Sequence, residues 1–164
     1  MNNKLNTVCS SIGKRIVCLQ GTGDIGKAGT IIALIERLLP RSMELPVWNI
    51  PELPPPQDEL EAPLNVEVWV NGFHIGIDTE ADYPYKLEEN LTLLIEHECN
   101  LIFCTCRNHG YGPEFVKNIA NKTGYSLVFT APYTIKTDHT PTDEKAMQRK
   151  KAEYLEMFIT SAYT

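Results

Sequence analysis

Arg15-Ile-Val-Cys-Leu-Gln-Gly-Thr-Gly-Asp-Ile-Gly-Lys27 is the stretch that decides how this chain folds. Ile16 to Leu19 is an apolar run of strand length, and Gly21 ends it. A glycine-rich turn leads to Lys27–Leu39, where Ile31, Ile32, Ala33, Leu34, Ile35, Leu38 and Leu39 cover most of a helix surface. Apolar residues that widely spread belong to a helix packed against a sheet, and Pro40 stops it. A strand, a tight turn and a buried helix together open an α/β fold.

The rest of the chain continues the alternation. Val47-Trp-Asn-Ile50 reads as a short strand, and Pro51–Pro63 as a loop holding five prolines with Glu52, Asp58, Glu59 and Glu61. Val66–Val70 and Phe73–Ile77 are strand-like runs joined by Asn71-Gly72, the signature of a hairpin with both turn residues at positive φ. Tyr85–Glu98 reads as a helix with Leu87, Leu91, Leu94 and Ile95 on one face. Asn100–Arg107 follows as a strand, Pro113–Thr123 as a helix closed by Gly124, and Tyr125–Thr130 as a strand. A last helix spans Thr142–Thr160 with Thr142 as its cap. The expected fold is a single α/β domain over 1–164, its mostly parallel sheet covered on both faces and carrying an antiparallel hairpin.

The composition agrees and narrows the function. The chain has 164 residues, 43% hydrophobic and 22% charged, with 15 Lys+Arg against 21 Asp+Glu for a net charge of −6. That excludes a disordered tail, a collagen-like rod and a cysteine-dense secreted knot. A mildly acidic chain has no broad nucleic-acid surface, and no segment reaches the ~20 apolar residues of a membrane span. The basic residues Lys145, Arg149, Lys150 and Lys151 alternate with Asp143, Glu144, Glu153 and Glu156, which reads as a solvated helix face. With no signal-peptide pattern, the expected location is cytoplasmic.

Five cysteines (Cys9, Cys18, Cys99, Cys104 and Cys106) sit mostly in apolar runs, as reduced core thiols do. His97 and His109 flank Cys99, Cys104 and Cys106 and raise the question of zinc. Cys104 and Cys106 lie inside a strand-like run without the knuckle of two to four intervening residues that zinc pairs use, so small core side chains are the better reading.

Gly21-Thr22-Gly23-Asp24-Ile25-Gly26-Lys27 fits G-x-x-x-x-G-K, between a strand and a helix as the motif requires. The glycines let backbone N–H groups converge on phosphate oxygens, the helix N-terminus favours negative charge, and Lys27 supplies a cation to the β- and γ-phosphates. The motif then departs. Ala28, followed by Gly29, stands where Ser or Thr would coordinate magnesium, and a methyl group cannot. The same residues also spell G-x-G-x-x-G, but the acidic residue that dinucleotide folds place at the end of a second strand is absent.

Phe73-His-Ile-Gly-Ile-Asp78 is a mostly apolar strand ending in a carboxylate. In a parallel sheet this Asp is expected beside the phosphate loop, where it would bind Mg2+. Glu80 and Asp82 follow and can position an attacking water, and Arg107 ends a later strand at the edge where α/β sheets bind ligands. The hairpin running into Asp78-Thr-Glu-Ala81 is similar to the magnesium-side switch of small GTPases. The guanine-reading Asn-Lys-x-Asp motif is missing, because Asn121-Lys122 continues Thr123-Gly124 and ends a helix.

Taken together the chain resembles P-loop NTPases, in particular small bacterial P-loop proteins that share three motifs with it. These are Gly26-Lys-Ala-Gly-Thr30, Ile75-Gly-Ile-Asp-Thr-Glu-Ala-Asp82 and Cys104-Thr-Cys-Arg107. The resemblance implies a three-layer P-loop fold that binds a nucleoside triphosphate, ATP or another NTP, with Mg2+. Lys27 and the Gly21–Gly29 loop would hold phosphate, Asp78 the metal, and Glu80, Asp82 or Arg107 would assist weak hydrolysis or phosphoryl transfer. The alternative is a non-catalytic, nucleotide-responsive module with a decayed loop. A homo-oligomer or a protein partner is compatible with either reading.

Overall fold

The computed structural model describes residues 13–21, 26–50, 63–80, 83–133 and 140–161. In chain order the elements are β1 (Arg15–Gln20), α1 (Lys27–Leu38), a 3-10 turn (Leu39–Arg41), β2 (Val47–Ile50), β3 (Asn65–Val70) and β4 (Phe73–Asp78). They continue with α2 (Pro84–Glu96), β5 (Leu101–Cys106), α3 (Tyr111–Thr123), β6 (Ser126–Thr130) and α4 (Pro141–Ser161).

One sheet joins all six strands in the order β2-β3-β4-β5-β1-β6. β4, β5, β1 and β6 run parallel, while β3 is antiparallel to both of its neighbours. The β3–β4 turn has φ of 53° at Asn71 and 81° at Gly72, as a primed two-residue turn demands. The architecture is therefore α/β with a mixed, mostly parallel sheet.

Strand alternation sends each side chain to one of two buried layers. Val17, Leu19, Ile75, Ile77 and Phe103 pack against Ile31, Leu34, Ile35 and Leu38 of α1 and Ala152, Leu155 and Ile159 of α4. Ile16, Cys18, Ile102, Cys104 and Cys106 pack on the other face against Leu87, Leu91 and Leu94 of α2 and Val116 and Ala120 of α3. With both faces covered, the inner strands read as near-continuous hydrophobic runs. Arg37 and Arg41 both reach Glu156, Arg37 at 2.6 Å, and tie α1 to α4. Among the described residues no helix is long and apolar enough to cross a membrane.

Some expectations shift. α4 is capped by Thr140 rather than Thr142: Asp143 N–H donates to Thr140 Oγ1 at 3.2 Å, and Thr140 N–H donates to the Asp143 carboxylate at 2.9 Å. Pro141 explains the earlier start, since it follows the cap where a missing N–H costs nothing. Lys151 is not on a solvated face. It is 4% exposed, donates to Thr130 Oγ1 at 2.6 Å and lies over the rings of Tyr133 and Tyr154. Most important for the site, β5 stands between β1 and β4, so the strand ending in Asp78 is not β1's neighbour. The Pro-rich stretch falls outside the described residues except for Pro63.

Candidate phosphate site at the β1–β5 crevice

The four parallel strands end at one edge of the sheet. From β1 the chain passes to α1 on one face; from β5 it passes to α3 on the other. β4 and β5 both lead to the α2/α3 face, and β6 and β1 both lead to the α1/α4 face. Connections thus diverge between β1 and β5, and such a divergence opens a crevice at the carboxyl ends, the usual ligand position in α/β sheets.

The glycine motif lies at that crevice. Gly21 is buried, and its N–H donates to Cys106 O at 3.1 Å, extending the β1–β5 ladder by one bond. Gly26 precedes α1 with φ 87°, a left-handed conformation that strains any other residue except Asn or Asp. Among the described residues no side chain caps the helix, and no acidic residue occupies its first turn. Lys27 is 5% exposed, and its Nζ donates to Gly21 O at 2.7 Å and to Cys106 O at 3.4 Å. The ammonium therefore bridges the ends of both strands that flank the crevice.

Neighbouring groups complete the setting. Thr30 turns away from the loop: its hydroxyl and its N–H both donate to Gly26 O, at 2.7 and 3.0 Å, which leaves it unsuited to replace the hydroxyl missing at Ala28. Gly29 lies under Gln148 of α4, whose amide comes within 2.5 Å of where a Cβ would sit. Thr105, one residue before Cys106, projects to the α1 side of β5; it is completely buried, and among the described residues its hydroxyl has no hydrogen-bond partner. Arg107 is exposed just beyond β5. On the opposite face the Cys18 and Cys106 sulfurs are 3.2 Å apart. The Cys18 hydrogen bond and the Lys27 charge draw the Cys106 thiol below its ordinary pKa despite burial. Thr22, Gly23, Asp24 and Ile25 lie outside the described residues.

Asp78 is elsewhere. It shares the α2 side of β4 with Gly76, and its carboxylate accepts from Asn65 Nδ2 at 3.1 Å, Asn90 Nδ2 at 2.8 Å and Glu80 N–H at 3.1 Å. Burial pushes its pKa up to about 7 in spite of those three donors. Two strand spacings, roughly 10 Å, separate its strand from β1. The structure thus gathers Gly21, Gly26, Lys27 and the β5 terminus before Arg107, and keeps Asp78 and Glu80 apart from them. Glu80 and Asn90 instead border a cleft of about 570 Å³ beside α2, which Asn49, Lys86 and Glu89 also line. Asp82 lies outside the described residues.

The cysteine and histidine candidates divide in the same way. Cys104 and Cys106 are core residues of β5, but His97 and Cys99 meet Glu67 and His74, two residues that sequence spacing did not single out. Glu67 carried a usable signal: a carboxylate inside Val66–Val70, in a sheet covered on both faces, must find a polar partner. No family model, curated protein or solved structure matches the chain.

Proposed function

We propose that this chain binds a nucleoside triphosphate through its phosphates, at the β1–β5 crevice, in the manner of a P-loop protein. The observation that carries the reading is Lys27, whose buried ammonium lies across the carbonyls of Gly21 and Cys106 where the connections diverge. A phosphate there meets the positive, amino-terminal end of α1 together with that cation. The Thr105 hydroxyl offers a buried donor on the same side of β5.

Binding is favoured over turnover. Ala28 has no side-chain oxygen for Mg2+, and Asp78 is engaged by the amides of Asn65 and Asn90 on the far side of β5. Mg2+ would then have to come with the nucleotide rather than through a side chain of this loop. A nucleotide-responsive module fits this arrangement better than a fast NTPase.

Thermal stability measured with ATP, GTP and ADP, each with and without Mg2+, tests the reading. A ligand at a hundredfold excess over Kd should add about 2.7 kcal/mol, and Lys27→Ala should remove the gain. Absence of any shift with all three nucleotides would rule the reading out. Ala28→Ser separates the two classes: magnesium-dependent hydrolysis gained in that variant marks a weakened enzyme, and none marks a binder.

A further inference from the structure

We propose that Glu67, His74 and Cys99 bind a zinc ion at the amino-terminal edge of the sheet, a site separate from the phosphate crevice. Their donor atoms already converge. His74 Nε2 lies 2.8 Å from Glu67 Oε1 and 3.6 Å from Cys99 Sγ, and Cys99 Sγ lies 3.9 Å from Glu67 Oε1. A tetrahedral ion with bonds of about 2.0–2.3 Å holds its ligand atoms roughly 3.3–3.8 Å apart. Only the His74–Glu67 pair must open, by somewhat under an ångström, as the ion replaces their hydrogen bond.

Each ligand is fixed by the fold rather than by chance contact. Glu67 lies opposite Gly76 in the β3–β4 register, and His74 is the second residue of β4. Trp69 stacks on the His74 ring at 4.6 Å and sets its plane. Cys99 is held by its N–H to Leu94 O at 3.2 Å, and its carbonyl accepts from the Tyr125 hydroxyl at 2.7 Å. Gly76 makes the meeting feasible, because a Cβ there would come within 3.0 Å of the Cys99 sulfur.

The surroundings are those of a metal site. Asn49 Nδ2 donates to Glu67 Oε2 at 2.9 Å, and His97 Nδ1 lies 2.9 Å from the same oxygen. These are outer partners that orient a ligating carboxylate. The His97 side chain is 42% exposed, which gives the buried cluster a solvent side, while Glu67 itself is 2% exposed. A sulfur, an imidazole nitrogen and a carboxylate oxygen suit zinc rather than magnesium or calcium. Without an ion, burial and the Glu67 charge keep the Cys99 thiol protonated. Binding breaks its S–H bond, forms S–Zn and releases the proton to solvent, with no change of oxidation state. Carboxylate and thiolate then balance the charge of the ion, and the fourth position is left for water.

A plain hydrogen-bonded glutamate would need the histidines and Asn49 but not the sulfur, so the sulfur makes the proposal testable. The metal-free full chain is titrated with Zn2+ against a chromophoric chelator, and with Co2+ followed by absorption. One ion per chain and a sulfur-to-cobalt charge-transfer band are expected. Cys99→Ser should remove the band and weaken zinc at least tenfold, His74→Gln should weaken zinc by a similar factor, and Cys104→Ser should change neither. His74→Gln, at a partly exposed position, keeps the test decisive if Cys99→Ser fails to fold. Zinc binding that is absent from the native chain, or unchanged in His74→Gln and Cys99→Ser, overturns the proposal.

Discussion

Asp78 carries its carboxylate where water does not reach, and that has a measurable cost. Burial lifts its pKa from the ordinary 3.8 to about 7, with Glu80's charge adding a little and the Asn65, Asn90 and Glu80 N–H donors opposing the rise. Between those two values the folded chain holds a proton that the unfolded chain has released. The folded state is therefore favoured at low pH and loses this advantage as pH rises from about 4 through 7. From pH 5 to pH 8 the loss should amount to about 2–3 kcal/mol. Asp78→Asn removes the titrating group, so urea unfolding at the two pH values should show native stability falling relative to the variant by that amount. An unchanged difference would mean that the carboxylate is not desolvated. Thr105 offers the complementary case. Its hydroxyl is buried without a partner among the described residues, so Thr105→Val should leave the ligand-free chain as stable or raise it by up to about 1 kcal/mol. If the hydroxyl donates to phosphate, the same variant weakens nucleotide binding. A stability gain with lost affinity, read from Tm with and without nucleotide, is the expected pair of results.

Among the elements, the local ones were legible and the long-range ones were not. β1, its glycine turn and α1 announce themselves by an apolar run, a Gly cluster and a helix-covering pattern, all within 25 residues from Arg15 to Leu39. Asn71-Gly72 fixed the hairpin for the same reason, since its two positive φ angles are a property of those two residues. No local signal says that β5 inserts between β1 and β4, because periodicity marks which strands are buried and not which ones pair. That is why Asp78 was expected beside the loop. The Glu67–His74–Cys99 cluster was hidden likewise: its members come from both hairpin strands and from the turn before β5, and they meet only through the sheet register. Gly76 is the position where this register can be tested. A Cβ there would fall 2.8 and 2.9 Å from the Leu94 methyls, which belong to the α2 core, and 3.0 Å from Cys99 Sγ. Gly76→Ala should therefore cost about 1–3 kcal/mol by overpacking, seen as a lower urea midpoint with an unchanged slope. It should also weaken zinc by displacing the sulfur. A variant as stable as the native chain would mean that α2 yields freely.

For the molecule as a whole, the two proposed sites lie at opposite edges of one sheet. The phosphate crevice is at the carboxyl ends of β1 and β5, and the metal cluster adjoins the amino ends of β4 and β5. β5 runs between them, and its six residues span roughly 20 Å at about 3.3 Å each. The strand is buried on both faces and close-packed along its length. Among the described residues these partners of the two sites do not overlap: Lys27 donates to Gly21 and Cys106, whereas Glu67, His74 and Cys99 meet one another, Asn49 and His97. Independent sites contribute additively to stability. The gain with zinc and nucleotide together should therefore equal the sum of the separate gains to within about 0.5 kcal/mol. Lys27→Ala should abolish only the nucleotide share, and Cys99→Ser only the zinc share. A combined gain that departs from the sum by more than about 1.4 kcal/mol, a tenfold change in affinity, would show instead that the edges communicate. β5 would then be the element to examine, since it is the strand that reaches both.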